Sequence, residues 1–360
     1  MAVNWRHYLD NYDFHLPEEL IAKNPSNRRE ESRLLLVKKS DGRMKDLVFS
    51  DLPSLLNSDD LLLFNATRVS RRKLQLRRAT GGRISSLFLK TTSNGLWACL
   101  IKGSGKLQPG ELLSIDTEEP GIGAQFRYHE RNPTDAAVEQ SSTRYLEPVP
   151  AWKDSNEAEQ FFERHGQPPL PPYMKREAGP QDSERYQTVY ARHPGSVAGP
   201  TAGFHFTKTL LDECVQKGVR RVELDLQIGY GTFAPLEERN FQERHLHTET
   251  YQMQNAELLN NSRNSPRIAV GTTTLRALED NYRRYDGEFH DGKHETSLFV
   301  YPPDQIRSIQ GLITNFHLPR SSLFLLVCAF GGRELLLKAY EHAIRQRYRF
   351  YSYGDAMFII

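Results

Sequence analysis

Residues 220–233 read RRVELDLQIGYGTF. Val222, Leu224, Leu226 and Ile228 alternate with polar residues, the period-two pattern of a strand with one buried face. At Gly229 and Gly231 the alternation stops and a loop begins. Upstream, SVAGPTAGFHFTKTLL (196–211) is a loop of small residues that exits through His205 into a helix opened by Thr207 and closed by Gly218. Downstream, Arg267 to Val270 reads as a second short strand entering GTTTLRALE (271–279). SLFVYPP (297–303) reads as a third, ahead of ITNFHL and the helical GRELLLKAYEHAIRQRYR. Strands alternating with helices predict an α/β domain around a mixed or largely parallel sheet. The longest apolar run, Leu323 to Phe330, is too short to span a bilayer and reads as a buried strand or helix.

A different texture interrupts this pattern. The whole chain is nearly neutral, with 47 basic against 45 acidic residues, yet no Asp or Glu occurs between Leu61 and Gly110. That window carries Arg68, Arg71, Arg72, Lys73, Arg77, Arg78 and Arg83, spaced among apolar residues. Such a segment suggests either a solvated basic face or an electrostatic footprint for a polyanion. Short apolar runs such as ISSLFL and LWACLIK are separated by Gly81-Gly82, Asn94-Gly95 and Pro109-Gly110, which are hairpin and turn signals. They predict a small antiparallel barrel or sandwich from about Val69 to Val149, with the polar stretch Glu118–Thr143 as its loops and outer edge. Asp154 or Ser155 is placed to cap a helix through Phe161, Phe162 and His165, and the Pro-rich QPPLPPYMKR follows. The overall class is therefore mixed α+β: a discontinuous α/β domain (1–68 and 150–360) with an inserted β-barrel-like domain (69–149).

Three cysteines, widely spaced and without a CxxC pair, argue for a reducing compartment and against a disulfide framework. The opening MAVNWRHYLDNYDFHL lacks the apolar core of a signal peptide. A cytoplasmic protein with no membrane association is expected, and a monomer.

The strand-to-loop junctions hold the chemistry. GYGTF, GTTTLR and the 196–207 loop each set glycine beside a hydroxyl side chain, and open α/β sheets bind ligands where such loops converge. The 196–207 loop lacks the Gly-Lys-Ser/Thr ending of a phosphate loop, and no GxGxxG is present, so neither a P-loop nor a nicotinamide site is supported. HLHTE (245–249) aligns His245, His247 and Glu249 on one strand face, but with no further ligand in sight hydrogen bonding to substrate fits better than a metal, and no metal is expected. His205 and His317 each follow a phenylalanine in a loop of small or polar residues, and imidazole suits proton transfer near neutral pH.

These stretches together resemble one family. YDFHLPEELIA (12–22), SRLLLV (32–37), LLFNATRV (62–69), PLPPYMKRE (169–177), ERYQTVYA (184–191), PGSVAGPTAGFHFT (194–207), GYGTFAP (229–235), HLHTE, GTTTLRALE, LITNFHLPRSSL (312–323) and YRFYSYGDAMFI (348–359) are similar, in order, to the S-adenosylmethionine:tRNA ribosyltransferase-isomerases of queuosine biosynthesis. The resemblance implies an α/β domain interrupted by a β-barrel-like one. It implies transfer and isomerisation of the ribosyl group of S-adenosylmethionine onto 7-aminomethyl-7-deazaguanine at the wobble position of a tRNA. The products would be epoxyqueuosine-tRNA, adenine and methionine, with no cofactor beyond S-adenosylmethionine, itself a substrate.

On that resemblance, proton transfer falls first to His205 and His317, then to Glu249 and Asp355. Substrate contacts are expected from Thr201, Gly203, Gly229, Gly231, Thr232, His247, Thr272, Thr273 and Asn315, with Arg276 or Arg320 for the methionine carboxylate. Tyr173, Lys175 and Arg176 are expected to meet the tRNA or its modified base, and Asn65, Thr67 and Arg68 to lie at the domain junction. Arg71, Arg72, Lys73, Arg77, Arg78 and Arg83 are expected to bind tRNA. The chain departs from the pattern at Ala66, where many members carry Asn or Asp, and at Gln227, where a histidine is usual. A non-catalytic tRNA-binding paralogue is the alternative; an RNA methyltransferase lacks its acidic ribose-binding residue here.

Overall fold

The structure, a computed structural model, describes residues 5–116, 124–132, 142–151 and 155–360. It divides into two compact units, one of residues 1–68, 172–175 and 184–360, the other of residues 69–171 and 176–183.

The first unit is built on nine strands: β1 (Arg33–Val37), β2 (Met44–Val48), β3 (Leu61–Asn65), then β12 (Arg220–Leu226), β13 (His245–Met253), β14 (Arg267–Val270), β15 (Gly292–Leu298), β16 (Gly311–Asn315) and β17 (Ala356–Ile359). Their spatial order is β15-β13-β12-β3-β14-β16-β17-β1-β2. The centre, β12-β3-β14-β16, is parallel throughout, while β16-β17 and the outermost pairs are antiparallel. Central β3 is buried on both faces, which is why it reads as the unbroken apolar run LLLFN. Leu61 and Leu63 enter one core with Val222, Leu224 and Leu226; Leu62 and Phe64 enter the other with Ile268 and Val270. In β12, nearer the edge, only the alternate residues are buried. Each fully buried Leu or Phe contributes roughly 1.5–3 kcal/mol.

Helices cover both faces. Lys208–Gln216, capped by the Thr207 hydroxyl accepting from the Leu210 amide at 3.1 Å, packs Leu210, Leu211 and Cys214 on one side. Thr272–Arg284, Ser322–Gly331 and Arg333–Arg345 cover the other. The apolar run Leu323–Phe330 is thus a buried helix. The third expected strand begins earlier than SLFVYPP: β15 ends at Leu298, and Phe299 and Val300 go into the core beyond it.

The second unit holds a closed antiparallel barrel of β5 (Lys73–Arg78), β6 (Arg83–Thr91), β7 (Trp97–Lys102), β8 (Leu112–Ile115), β9 (Gln125–His129) and β10 (Thr143–Val149), in the order β10-β7-β6-β5-β8-β9. Within the stretch 118–143, expected to form the loops and outer edge of the barrel, residues 124–132 and 142–143 are described, and β9 there pairs with both β8 and β10 and buries Phe126 and Tyr128. Its Gln-Phe-Arg-Tyr alternation is hidden by polar flanks. The helix Ser155–His165 fills the barrel core with Phe162, whose ring lies 5.0 Å from those of Trp97 and Phe88. Asp154, one of its two expected caps, lies outside the described residues. Remaining strands β4 (Thr67–Val69) and β11 (His193–Ser196) pair with each other. Among the described residues no helix is long and apolar enough to cross a membrane.

Candidate functional site

Where β12, β14 and β16 end, their following loops turn toward one another and line a cavity of about 510 Å³. Thr232 comes from GYGTF, Thr272 and Thr273 from GTTTLR, and Thr201 from the small-residue loop. Asn315, His317 and Arg320 come from the end of β16 and the segment after it. Trp5, Leu9, Leu236, Leu318 and Leu323 form an apolar wall. Gly271, between β14 and its helix, has φ +93°, a conformation in which a side chain is strained, and this lets Thr272 and Thr273 face the cavity in the helix's first turn.

Asn315 is held from three directions. Its Oδ1 accepts from Thr201 Oγ1 at 2.8 Å, and its Nδ2 donates to His205 Nε2 at 3.2 Å and to the Asp355 carbonyl at 3.4 Å. His205 lies behind this wall, its ring tilted against Phe49 at 4.9 Å and its Nδ1 2.6 Å from Ser32 Oγ. Because Ser32 Oγ donates to the Arg29 carbonyl, Nδ1 carries the proton and Nε2 accepts. Burial, reinforced by the nearby Arg29 and Arg349 guanidiniums, lowers the His205 pKa to about 3, so the ring is neutral. Both nitrogens are engaged by the protein.

His317 does line the cavity. Its backbone amide donates to Tyr340 Oη at 3.0 Å, which holds the main chain, and its Nε2 lies 2.8 Å from Thr314 Oγ1, which orients the ring. Burial alone lowers its pKa to about 3, so it too is neutral.

Glu249 anchors the second loop. Its Oε1 accepts from the Gly229 amide at 2.9 Å and Thr232 Oγ1 at 3.2 Å, with His247 Nε2 3.1 Å away, while Oε2 faces Arg276 at 2.8 Å. Burial pushes this carboxyl up, but His247, Arg276 and the Gly229 amide outweigh it and hold the group below its ordinary range. Arg276 spends its other donors on the carbonyls of Leu298, His247 and Thr296, and stands behind the cavity wall. Gly231 lies so close to His247 that a Cβ there would be 2.5 Å from the ring. Arg320, by contrast, lines the cavity, is 43% exposed, and meets Asp10 at 3.2 Å and Asp13 at 3.7 Å.

The other expected residues lie farther out. Asp355 accepts from the Arg33 and Arg349 amides at 2.9 and 2.8 Å, and burial raises its pKa against those bonds. Asn65 ties β3 to β12 through the Leu226 amide and carbonyl, Thr67 bonds Ser196, and Arg68 is exposed. Gly203 packs on Tyr190, and Tyr173 Oη accepts from the Ser352 amide beside Tyr351. Lys175 pairs with Glu18, and Arg176 forms a two-pronged pair with Asp182. His245 is exposed at the start of β13, apart from the pair His247 and Glu249, and among the described residues no three His, Cys, Asp or Glu are grouped to hold a metal. Gln227 is exposed and does not line the cavity. In the barrel, Arg72 pairs with Glu159, Lys73 with Glu177, Arg78 with Glu111, and Arg77 and Arg83 share Asp116, while Arg71 bonds the Glu163 carbonyl. Five of the basic residues of the acid-free window are thus paired with carboxylates from outside it.

Sequence reading missed Ser32, Thr314, Tyr186, Tyr351 and Ser352 as site residues. Ser32 lies 173 residues from its partner His205, and no local pattern links the two. Thr314 was in plain view, three residues before His317.

A sequence model of the queuosine biosynthesis proteins matches residues 9–359. The chain belongs to this family. It is 38% identical over 359 residues to the S-adenosylmethionine:tRNA ribosyltransferase-isomerase of Trichlorobacter lovleyi, covering 98% of this chain and 99% of that one. To the protein of the same name from Carboxydothermus hydrogenoformans it is 41% identical over 358 residues, with the same coverage. A crystal structure of the S-adenosylmethionine tRNA ribosyltransferase from Thermotoga maritima is similar over 97% of this chain and all of that one, at 29% identity and a TM-score of 0.53. This member of the queuosine biosynthesis family is accordingly an enzyme of the ribosyltransferase-isomerase type, with its barrel and mixed sheet.

Proposed function

We propose that the cavity binds S-adenosylmethionine and that His317 begins the transfer of its ribosyl group to a 7-aminomethyl-7-deazaguanine in a tRNA wobble position. One observation carries this reading: His317 is the imidazole on the cavity wall, kept neutral by burial, its ring oriented by Thr314 and its backbone held by Tyr340, in a cavity that the threonines of three converging loops also line. A sulfonium acidifies the hydrogens on the adjacent C5′, and a neutral imidazole within reach takes one to leave an ylide. Elimination then opens the sugar and expels adenine. The neutral aminomethyl nitrogen of the base adds to the opened ribosyl group, and closure of an epoxide releases methionine. Thr201, Thr272, Thr273 and Asn315 offer both donors and acceptors to ribose hydroxyls, and held in one geometry they lower the entropic part of the barrier.

Arg320 takes the methionine carboxylate, because it faces the cavity whereas Arg276 is committed to Glu249. His205, Glu249 and Asp355 act as positioning residues: His205 sets the Asn315 amide, Glu249 sets GYGTF, and Asp355 ties the end of the chain to β1. The reaction takes place in the cytoplasm on tRNA.

The test incubates the protein with S-adenosylmethionine and a tRNA bearing 7-aminomethyl-7-deazaguanine, following adenine release and the mass of the digested nucleoside. Adenine and methionine with an epoxyqueuosine mass are expected. A methyl-sized mass gain, or binding without adenine, would sink the reading.

A further inference from the structure

Arg29, Arg185 and Arg349 have a common environment. Arg29 donates to the carbonyls of Phe204 at 3.1 Å and Glu184 at 2.8 Å, Arg185 to that of Asn27 at 3.1 Å, and Arg349 to that of Asn24. The Arg29 and Arg185 bonds are reciprocal, each reaching toward the other's segment. All three side chains are half-buried, and none has a carboxylate within 4 Å among the described residues. Nearby acids act on them only through space and not as ion pairs: Asp355, which accepts from the Arg33 and Arg349 amides, acts on Arg349, and Glu184 acts on Arg29. A carbonyl fixes a guanidinium in place without cancelling its charge. In the barrel, in contrast, Arg72, Arg77, Arg78 and Arg83 each stand in an ion pair, Arg77 and Arg83 sharing Asp116.

Three guanidiniums fixed without an ion pair stand on adjoining segments, Arg29 and Arg185 repelling each other, and an arrangement of this kind is stabilised by a polyanion. Its position is informative. Arg185 precedes Tyr186, Arg349 lies two residues before Tyr351, and Arg29 bonds the Phe204 carbonyl just after Ala202; Tyr186, Tyr351 and Ala202 all line the cavity. The aromatic rings of Tyr351 and Tyr173 stand 4.0 Å apart on the same unit. Guanidiniums beside half-buried aromatics such as Tyr351 and Tyr173 suit the phosphates and unstacked bases of single-stranded nucleic acid.

We propose that Arg29, Arg185 and Arg349 form a phosphate-binding edge for RNA, gripping the backbone of the nucleotides that flank the base presented to the cavity. The inference rests on the reading that tRNA is the substrate, and it places the grip on the catalytic unit in addition to, and ahead of, the barrel.

The experiment measures affinity for the substrate tRNA across a series of salt concentrations. It compares wild type, the double variant Arg185→Ala/Arg349→Ala, the charge-keeping Arg185→Lys/Arg349→Lys, and the barrel variant Arg77→Ala/Arg83→Ala. The alanine pair is expected to weaken binding by about tenfold or more and to flatten the dependence of log K on log salt by roughly 0.7 to 0.9 for each phosphate no longer gripped. The lysine pair should keep most of the slope, and the barrel pair most of the affinity. An unchanged slope in the alanine pair overturns the proposal. So does an equal weakening in the lysine pair, which would make the carbonyl bonds merely structural, or a weakening confined to the barrel variant. Adenine release by wild type is followed in parallel; its absence defeats the catalytic reading while leaving the binding comparison intact.

Discussion

His205 and Asn315 are joined by a 3.2 Å bond in which the amide donates and the imidazole accepts, and this decides which way the Asn315 side chain faces. With Nδ2 committed to His205, Oδ1 is turned to Thr201 at 2.8 Å, and the cavity wall presents one pattern of donors and acceptors. His205→Ala removes the acceptor and leaves a buried amide donor short of a partner, a loss of about 1–3 kcal/mol. The expected result is a roughly ten- to hundredfold rise in KM for S-adenosylmethionine with tRNA affinity unchanged. Steady-state kinetics beside a tRNA binding assay would check it. A fall in kcat alone would instead return His205 to direct proton transfer.

His317→Asn keeps a polar group of similar bulk but no base. A loss of about 10² to 10⁴ in kcat is expected, with KM for S-adenosylmethionine little altered. Since burial lowers the folded pKa of His317 to about 3, its titration should leave no limb near pH 6.5 in the wild-type profile.

The same two shifts bear on stability. His205 and His317 both have folded pKa values near 3, below the ordinary histidine value of 6.5, so the unfolded chain binds protons first as pH falls. Their contribution is fully present above pH ~6.5 and is lost progressively down to pH ~3. Chemical denaturation at several pH values should show a shallower acid loss for His205→Asn/His317→Asn than for wild type.

Glu249 and Arg276 are at most 9% exposed, so neither charge has water to fall back on. Glu249→Gln keeps an oxygen for the Gly229 amide and Thr232 hydroxyl but leaves the guanidinium buried and uncompensated, which costs roughly 3–5 kcal/mol. Denaturant midpoints should fall accordingly. A change of less than about 1 kcal/mol would mean that the three backbone carbonyls suffice for Arg276.

Gly203 has ordinary backbone angles but no room: a methyl there runs into Tyr190 Oη. Gly203→Ala is expected to cost about 1–3 kcal/mol through overpacking. Tyr190→Phe, which deletes that oxygen, should return part of the loss in the double variant; strict additivity in a double-mutant cycle would refute the clash as the cause.

Much of this protein was legible in the order of its residues, because the signals concerned are local. The alternation of 222–228 and the unbroken LLLF of 61–64 report how many faces of a strand are buried, and Asn94-Gly95 reports a turn. The strand at 125–129 is hidden among polar neighbours, since its burial comes from partners at 112–115 and 143–149. Likewise, the all-basic window from 61 to 110 is a property of the chain, but part of its charge is offset by Glu111, Asp116, Glu159 and Glu177, which only folding brings to it. Sequence alone determined the residue types able to do the chemistry and the loops that carry them. Tertiary structure decided that His317 borders the cavity while His205 stands behind it, and that Arg320 faces the cavity while Arg276 is spent on Glu249. Burial and distance set pKa, charge compensation and access, and all three depend on neighbours that can lie 173 residues away.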